Sequence, residues 1–160
     1  RTIASSIVYF HRFYMRHPYV RDTIKMTALA CLFLAAKSEG TIRKMRNFCT
    51  EYFQYDGRNP IPAQDSKVAR QLEEEIRTRE ALLMKTVQFA FWIEHPMRYF
   101  LTIVKRKFLK THGPEKTKRV AREGYAIIID SFRTNVCLSF SPQEIAIATL
   151  YMIAEFHRLQ

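Results

Sequence analysis

Every residue from Ala28 to Ala36 (Ala-Leu-Ala-Cys-Leu-Phe-Leu-Ala-Ala) is apolar. A helix made from this run offers water no face, so it has to lie inside a bundle with other helices packed about it. The small side chains of Ala28, Ala30, Ala35 and Ala36 let those neighbours approach closely. The run reaches back only to Met26, short of the roughly 20 residues that a membrane span needs, so no membrane partner is expected. A chain of 160 residues is long enough to bury roughly 70% of its unfolded surface and to hold such a hub without disulfides. Cys31, Cys49 and Cys137 are odd in number and widely spaced, which reads as a reduced, intracellular set.

The rest of the chain divides at Pro and Gly into further helical blocks. Thr2 to His17 repeats apolar residues at 3, 7, 10 and 14, and at 4, 8 and 11 with His11 on the inner face; Pro18 stops it. Asp22 is placed to cap the hub block, Thr23 to about Ser38, and Gly40 to end it. Thr41 to Tyr55 carries Ile42, Met45, Phe48 and Tyr52 on one face. After the loop Asp56 to Pro62, a long block from about Asp65 to Gln88 sets Val68, Leu72, Ile76, Leu83 and Val87 on one stripe. His95-Pro96 opens the next block, which Gly113 closes. Glu115 to about Cys137 carries Val120, Tyr125, Ile127, Ile128 and Phe132. Ser141-Pro-Gln-Glu144 is a capping box that starts Glu144 to Arg158. No strand pattern competes with these blocks, and the expected fold class is all-α. Ala30 to Lys37 is echoed by Ala148 to Glu155, which suggests one complete helical repeat and the beginning of a second.

Catalytic patterns are scarce. His11, His17, His95, His112 and His157 show no HxxxH or HExxH spacing, and no Cys–His group has ligand spacing, so no metal is expected. Four scattered Gly cannot build a local phosphate cradle, so no nucleotide cofactor is expected either. Glu73-Glu74-Glu75 reads as a solvated face rather than an acid/base pair. The chain is expected to be no enzyme.

Charge is the second constraint. The formal net charge is +11, and residues 98–122 hold nine Lys or Arg against the single acid Glu115. Such an excess attracts polyanions and says nothing of fold. The segment reads either as a solvated face with a basic connector or as a surface that meets phosphates. Tyr99, Phe100 and Phe108 fall at helical spacing with Ile103 and Val104, as core residues rather than base-stacking platforms do. Two further charges sit where charge is costly. Lys37 closes the hub helix, where a cation suits the helix dipole and its stem can lie on apolar surface. Glu80 interrupts the stripe between Ile76 and Leu83, either paired with Arg77 or marking the rim of a surface that a partner covers. Met84, Phe89 and Phe91 lie around Glu80 as large apolar anchors for such a partner.

Ser6-Ile-Val-Tyr-Phe-His-Arg-Phe-Tyr-Met15, Ala30-Cys-Leu-Phe-Leu-Ala-Ala-Lys-Ser-Glu39, Glu80-Ala-Leu-Leu-Met-Lys-Thr-Val-Gln-Phe89 and Glu94-His-Pro-Met-Arg-Tyr-Phe100, in this order, resemble the cyclin box, and most of all that of the transcription-associated cyclins of the T, K, L and Q types. The resemblance covers nearly the whole chain. It implies two five-helix repeats: residues 1–93 as a first repeat without its first helix, and 94–160 as a second repeat without its C-terminal helices. It further implies a nuclear regulatory subunit that binds a cyclin-dependent kinase and sets its αC helix, in RNA polymerase II transcription. On that resemblance Lys37 and Glu80 match the pair that holds the kinase backbone, and Phe33, Glu39, Met84, Phe89 and Phe91 match neighbouring contact positions. Three features depart from the family pattern. Gly40 stands where a second Glu is usual, Ser38 replaces a hydrophobic residue, and the missing first helix leaves the hub less covered. Two alternatives use the same fold: a general transcription factor of the B type that binds DNA, and a cell-cycle cyclin. The positive charge favours the first of these, and the Lys37–Glu80 pairing opposes it.

Overall fold

The computed structural model describes residues 1–41 and 43–157, without the side chains of residues 108, 111 and 112. The sequence placements of Ile42, of the Phe108 and His112 side chains and of Arg158 lie outside the described residues. Helices and turns make up the whole of the described regular structure, with no strand, so the chain is all-α as its periodicity predicts. It divides into two compact units, Arg1–Trp92 and Ile93–Gln160.

The first unit holds α1 (Thr2–Tyr14), a 3₁₀ turn (Arg21–Thr23), α2 (Ile24–Ser38), α3 (Met45–Tyr55) and α4 (Lys67–Thr86). Helix α2 packs against both α1 and α4. It buries Thr27, Ala30, Cys31, Phe33, Leu34, Ala35 and Ala36, as an all-apolar helix must. Ala28 alone of the apolar run stays exposed. Phe33 reaches into a cluster with Met45, Phe48, Cys49 and Phe53 of α3 and Ala69, Leu72 and Ile76 of α4. Burial pushes the Cys31 thiol up to about 12 and, with help from nearby Glu73, the Cys49 thiol up to about 11.

Three local expectations change. Asp22 makes no cap: it lies in the 3₁₀ turn, and α2 starts after Thr23 without a side-chain cap bond. Helix α1 turns Ser5, Ser6, Val8, Tyr9 and Phe13 inward, leaving Ile3 exposed and Ile7, Phe10 and Tyr14 half-buried. Small serines fit the close α1–α2 approach better than the branched residues of the apolar series. Ser6 Oγ also donates to the Ile3 carbonyl at 2.7 Å, which satisfies it inside. In α4, Ala69 is buried and Val68 is exposed. The cap Ser66, whose side chain accepts from the Ala69 N–H at 3.2 Å, sets that register.

In the second unit α5 (Pro96–Ile103) runs through a π turn (Val104–Phe108) into α6 (Leu109–Ser131), followed by the single turn α7 (Val136–Ser139) and by α8 (Pro142–His157). Gly113 breaks α6 with φ 75° and ψ 175°. That left-handed conformation suits Gly, and Pro114 restarts the helix at the position Pro favours. The helix predicted to reach about Cys137 stops at Ser131. Phe100, Val104, Val120, Ile128, Phe132, Ile145, Ala146 and Ile153 are buried here, whereas Tyr125 is exposed. The capping box forms as predicted. Glu144 Oε2 accepts from the Ser141 N–H at 2.7 Å, and Ser141 Oγ accepts from the Glu144 N–H at 3.3 Å. The Ser141 hydroxyl also donates to Glu144 Oε2 at 2.7 Å, and this bond first, then that from the Ser141 N–H, holds the Glu144 carboxyl below the usual range. Helix α8 echoes α2 in sequence but turns only Ile145, Ala146, Thr149 and Ile153 inward, leaving Ile147, Tyr151, Met152 and Phe156 exposed.

Candidate functional site

Lys37 stands in the last turn of α2 and Glu80 midway along α4, 43 positions later in sequence, and the packing of α2 on α4 brings their heads together. Lys37 Nζ lies 2.8 Å from Glu80 Oε1 and donates to Oε2 at 2.9 Å. The Glu80 side chain is buried, at 7% exposure, while the Lys37 side chain is 46% exposed. The ammonium also sits 4.5 Å from the centre of the Phe33 ring, whose negative π face adds attraction. Arg77, the alternative partner for Glu80, is instead 3.9 Å from Glu73, one turn away on α4. Glu80 Oε1, although within ionic contact of Lys37, has no hydrogen bond of good geometry in the buried site. The pair is therefore half-open: a cation that reaches solvent and a buried acceptor with spare capacity.

The other expected contact residues divide. Phe33 is buried and supports the pair from beneath rather than presenting its own surface. Glu39 accepts a hydrogen bond from the Ser5 hydroxyl at 2.6 Å, which ties the end of α2 to α1. Met84, one turn after Glu80 on α4, is half-buried. Phe89 is 64% exposed and packs edge-to-face on Phe91, with ring centres 5.9 Å apart. Gln88 and Phe89 both hold left-handed backbone, with φ 55° and 58°, at a cost of about 1–2 kcal/mol each.

A set of hydrogen bonds that sequence patterning does not reveal sustains that strain. The buried Tyr9 hydroxyl donates to the Phe91 carbonyl at 2.8 Å and lies 3.0 Å from Ser38 Oγ. Arg12 Nη1 donates to the Ala90 carbonyl and Arg16 Nη1 to the Thr86 carbonyl, both at 3.1 Å. Helix α1 and the turn that follows it thus clamp the segment that displays Phe89. Burial raises the Tyr9 phenol above its usual range, opposed by the Ser38 contact. The one sequence signal for this clamp is the i, i+3, i+7 spacing of Tyr9, Arg12 and Arg16 on a helix otherwise read for its apolar stripe. Among the described residues no group of three His, Cys, Asp or Glu could hold a metal ion, and no helix is long and apolar enough to cross a membrane.

An apolar hub helix packed on two others, with Lys37 near its end against the buried Glu80, accords with the all-α helical repeat expected of a cyclin box. Residues 1–91 match the cyclin N-terminal domain model, and the chain belongs to the cyclin family. It is similar to human Cyclin-K, 30% identical over 94% of this chain and 25% of that protein. It also resembles Cyclin-T1-4 of Arabidopsis thaliana, 28% identical over 99% of this chain and 29% of that protein. A third relative is Cyclin pch1 of Schizosaccharomyces pombe, 32% identical over 96% of this chain and 44% of that protein. The chain thus spans between a quarter and a half of the length of these relatives, and its likeness within the family is to the transcription-associated types.

Proposed function

We propose that this chain is a non-catalytic regulatory subunit that binds and activates a cyclin-dependent kinase, in the nucleus and in RNA polymerase II transcription. Residues 1–93 act as a first cyclin repeat and 94–160 as part of a second. The half-open Lys37–Glu80 pair is the observation that carries the proposal. An ammonium with unused protons can donate to carbonyls at the end of a partner helix, and Glu80 Oε1 can accept from a partner N–H. Charges inside a desolvated patch select a partner and fix its register more than they add affinity. Met84, Phe89 and Phe91 supply the apolar contacts around them, and Phe33 and Glu39 hold the Lys37 end of α2 in place.

The physical task is gating. A protein kinase is active when its β3 Lys meets its αC Glu, and the position of αC decides this. A rigid helical surface that binds only the αC-in state shifts the kinase toward it by the difference in its affinity for the two states. The test is co-purification from nuclear extract with wild type, Lys37→Glu and Glu80→Lys, with circular dichroism to confirm that each variant is folded. A cyclin-dependent kinase identified by mass spectrometry should accompany wild type, and each reversal should reduce its recovery. Equal recovery with all three folded forms refutes the contact. Recovery of promoter DNA in place of a kinase would favour the B-type transcription factor reading.

A further inference from the structure

The second unit holds a basic groove whose residues are not among those proposed for the kinase contact. It is an open depression of about 500 Å³ lined by Glu115, Lys116, Lys118, Arg119, Arg122 and Glu123. It lies on the first turns after α6 restarts at Pro114, the positive end of that helix. Both carboxylates are already engaged. Glu115 is 2.9 Å from Lys118 Nζ. Glu123 is held by His157 and by Arg119 Nε at 3.0 Å, and these bonds, that of His157 foremost, keep its carboxyl below the usual range. Lys116 and Arg122 are exposed, and neither has an ion-pair partner among the described residues. The groove therefore offers an ammonium and a guanidinium whose donors are unspent.

We propose that this groove binds a phosphorylated protein segment, with Arg122 and Lys116 as the phosphate contacts. A guanidinium is the side chain best matched to the paired oxygens of a phosphoryl group. The two carboxylates among the four cations discriminate between polyanions. A single dianionic phosphoryl group can settle at the unpaired cations, whereas a continuous phosphodiester strand cannot keep its charges away from Glu115 and Glu123. Among the described residues no aromatic side chain lines the groove, and Phe100, near the start of the basic segment, is fully buried. Those residues offer a nucleic-acid strand no stacking surface. The proposal is independent of the kinase reading, since every residue it uses lies in the second unit.

The test uses the full chain and fluorescence anisotropy with a short, otherwise neutral peptide carrying one phosphoserine. The same peptide with serine and a thymidine oligonucleotide of equal length are the comparison probes. The phosphopeptide should bind at least about 10-fold more tightly than its serine form, the scale of one charge-assisted contact. Arg122→Ala should lose about that factor, and Arg122→Lys should retain part of it. Lys67→Ala, a cation of the first unit, should match wild type. Backbone chemical shifts in the wild-type protein on adding phosphopeptide should move over residues 115–123, which keeps the test valid if an Arg122 variant fails to fold. Equal binding of the two peptides, equal loss with Lys67→Ala, shift changes elsewhere, or tighter binding of the oligonucleotide would each overturn the proposal.

Discussion

Removing the ammonium from the Lys37–Glu80 pair should do more harm than removing the carboxylate. In Lys37→Met the Glu80 side chain stays at 7% exposure and its Oε2 loses the hydrogen bond from Nζ. Exposed ion pairs are worth about 0–1 kcal/mol, whereas breaking a buried pair costs about 3–5 kcal/mol. With one buried partner and one 46% exposed, the loss falls between, at about 2 kcal/mol. The lost contact with the Phe33 ring adds roughly 0.5–1 kcal/mol. For a chain of 160 residues, that total lowers Tm by roughly 5–10 °C. Glu80→Gln strands no charge, because Lys37 can turn its head to water, and should cost only about 1 kcal/mol. The double variant Lys37→Met/Glu80→Met replaces both charges with apolar volume and should recover most of the loss. Thermal unfolding followed at the helical circular dichroism band measures all four proteins. A larger loss from Glu80→Gln than from Lys37→Met, or a double variant no more stable than Lys37→Met, would refute the half-buried description of the pair.

Two further predictions concern the second unit. A Cβ on Gly124 would overlap the ring of Phe100, which is fully buried. Gly124→Ala should therefore destabilise by about 1–3 kcal/mol despite its higher helix propensity, and urea unfolding would show a lower midpoint; an unchanged midpoint would mean that the α5–α6 approach is looser than the structure has it. The Glu123 carboxyl is held below its ordinary range first by the His157 hydrogen bond and then by that of Arg119. Its folded pKa thus lies under its unfolded value, so its contribution is present above the unfolded pKa and is lost as pH falls through the folded one. Glu123→Gln should flatten the acid limb of a Tm–pH curve and leave its slope above neutrality unchanged.

The apolar run Ala28 to Ala36 names its own place in the fold, because a helix with no polar face has one stable location, and the buried residues of α2 follow from it. The Ser141–Glu144 box is equally legible, since both partners of its bonds lie within four residues. Wherever two faces of a helix compete, local pattern is a poorer guide. In α1 the apolar series loses the interior to Ser5 and Ser6, because close approach to α2 rewards small volume more than apolarity. Lys37 and Glu80 were each visible as a charge out of place, yet only the packing of α2 on α4 decided that they meet each other rather than Glu80 meeting Arg77. The clamp of Tyr9, Arg12 and Arg16 on the segment that displays Phe89 shows in the sequence only as three donors at helical spacing, with nothing to name what they hold. Its acceptors are backbone carbonyls about 70 to 80 positions away, and a carbonyl carries no side-chain identity for a sequence to show. Short-range chemistry was written in the residues; which distant groups share a site was settled by how the helices close on one another.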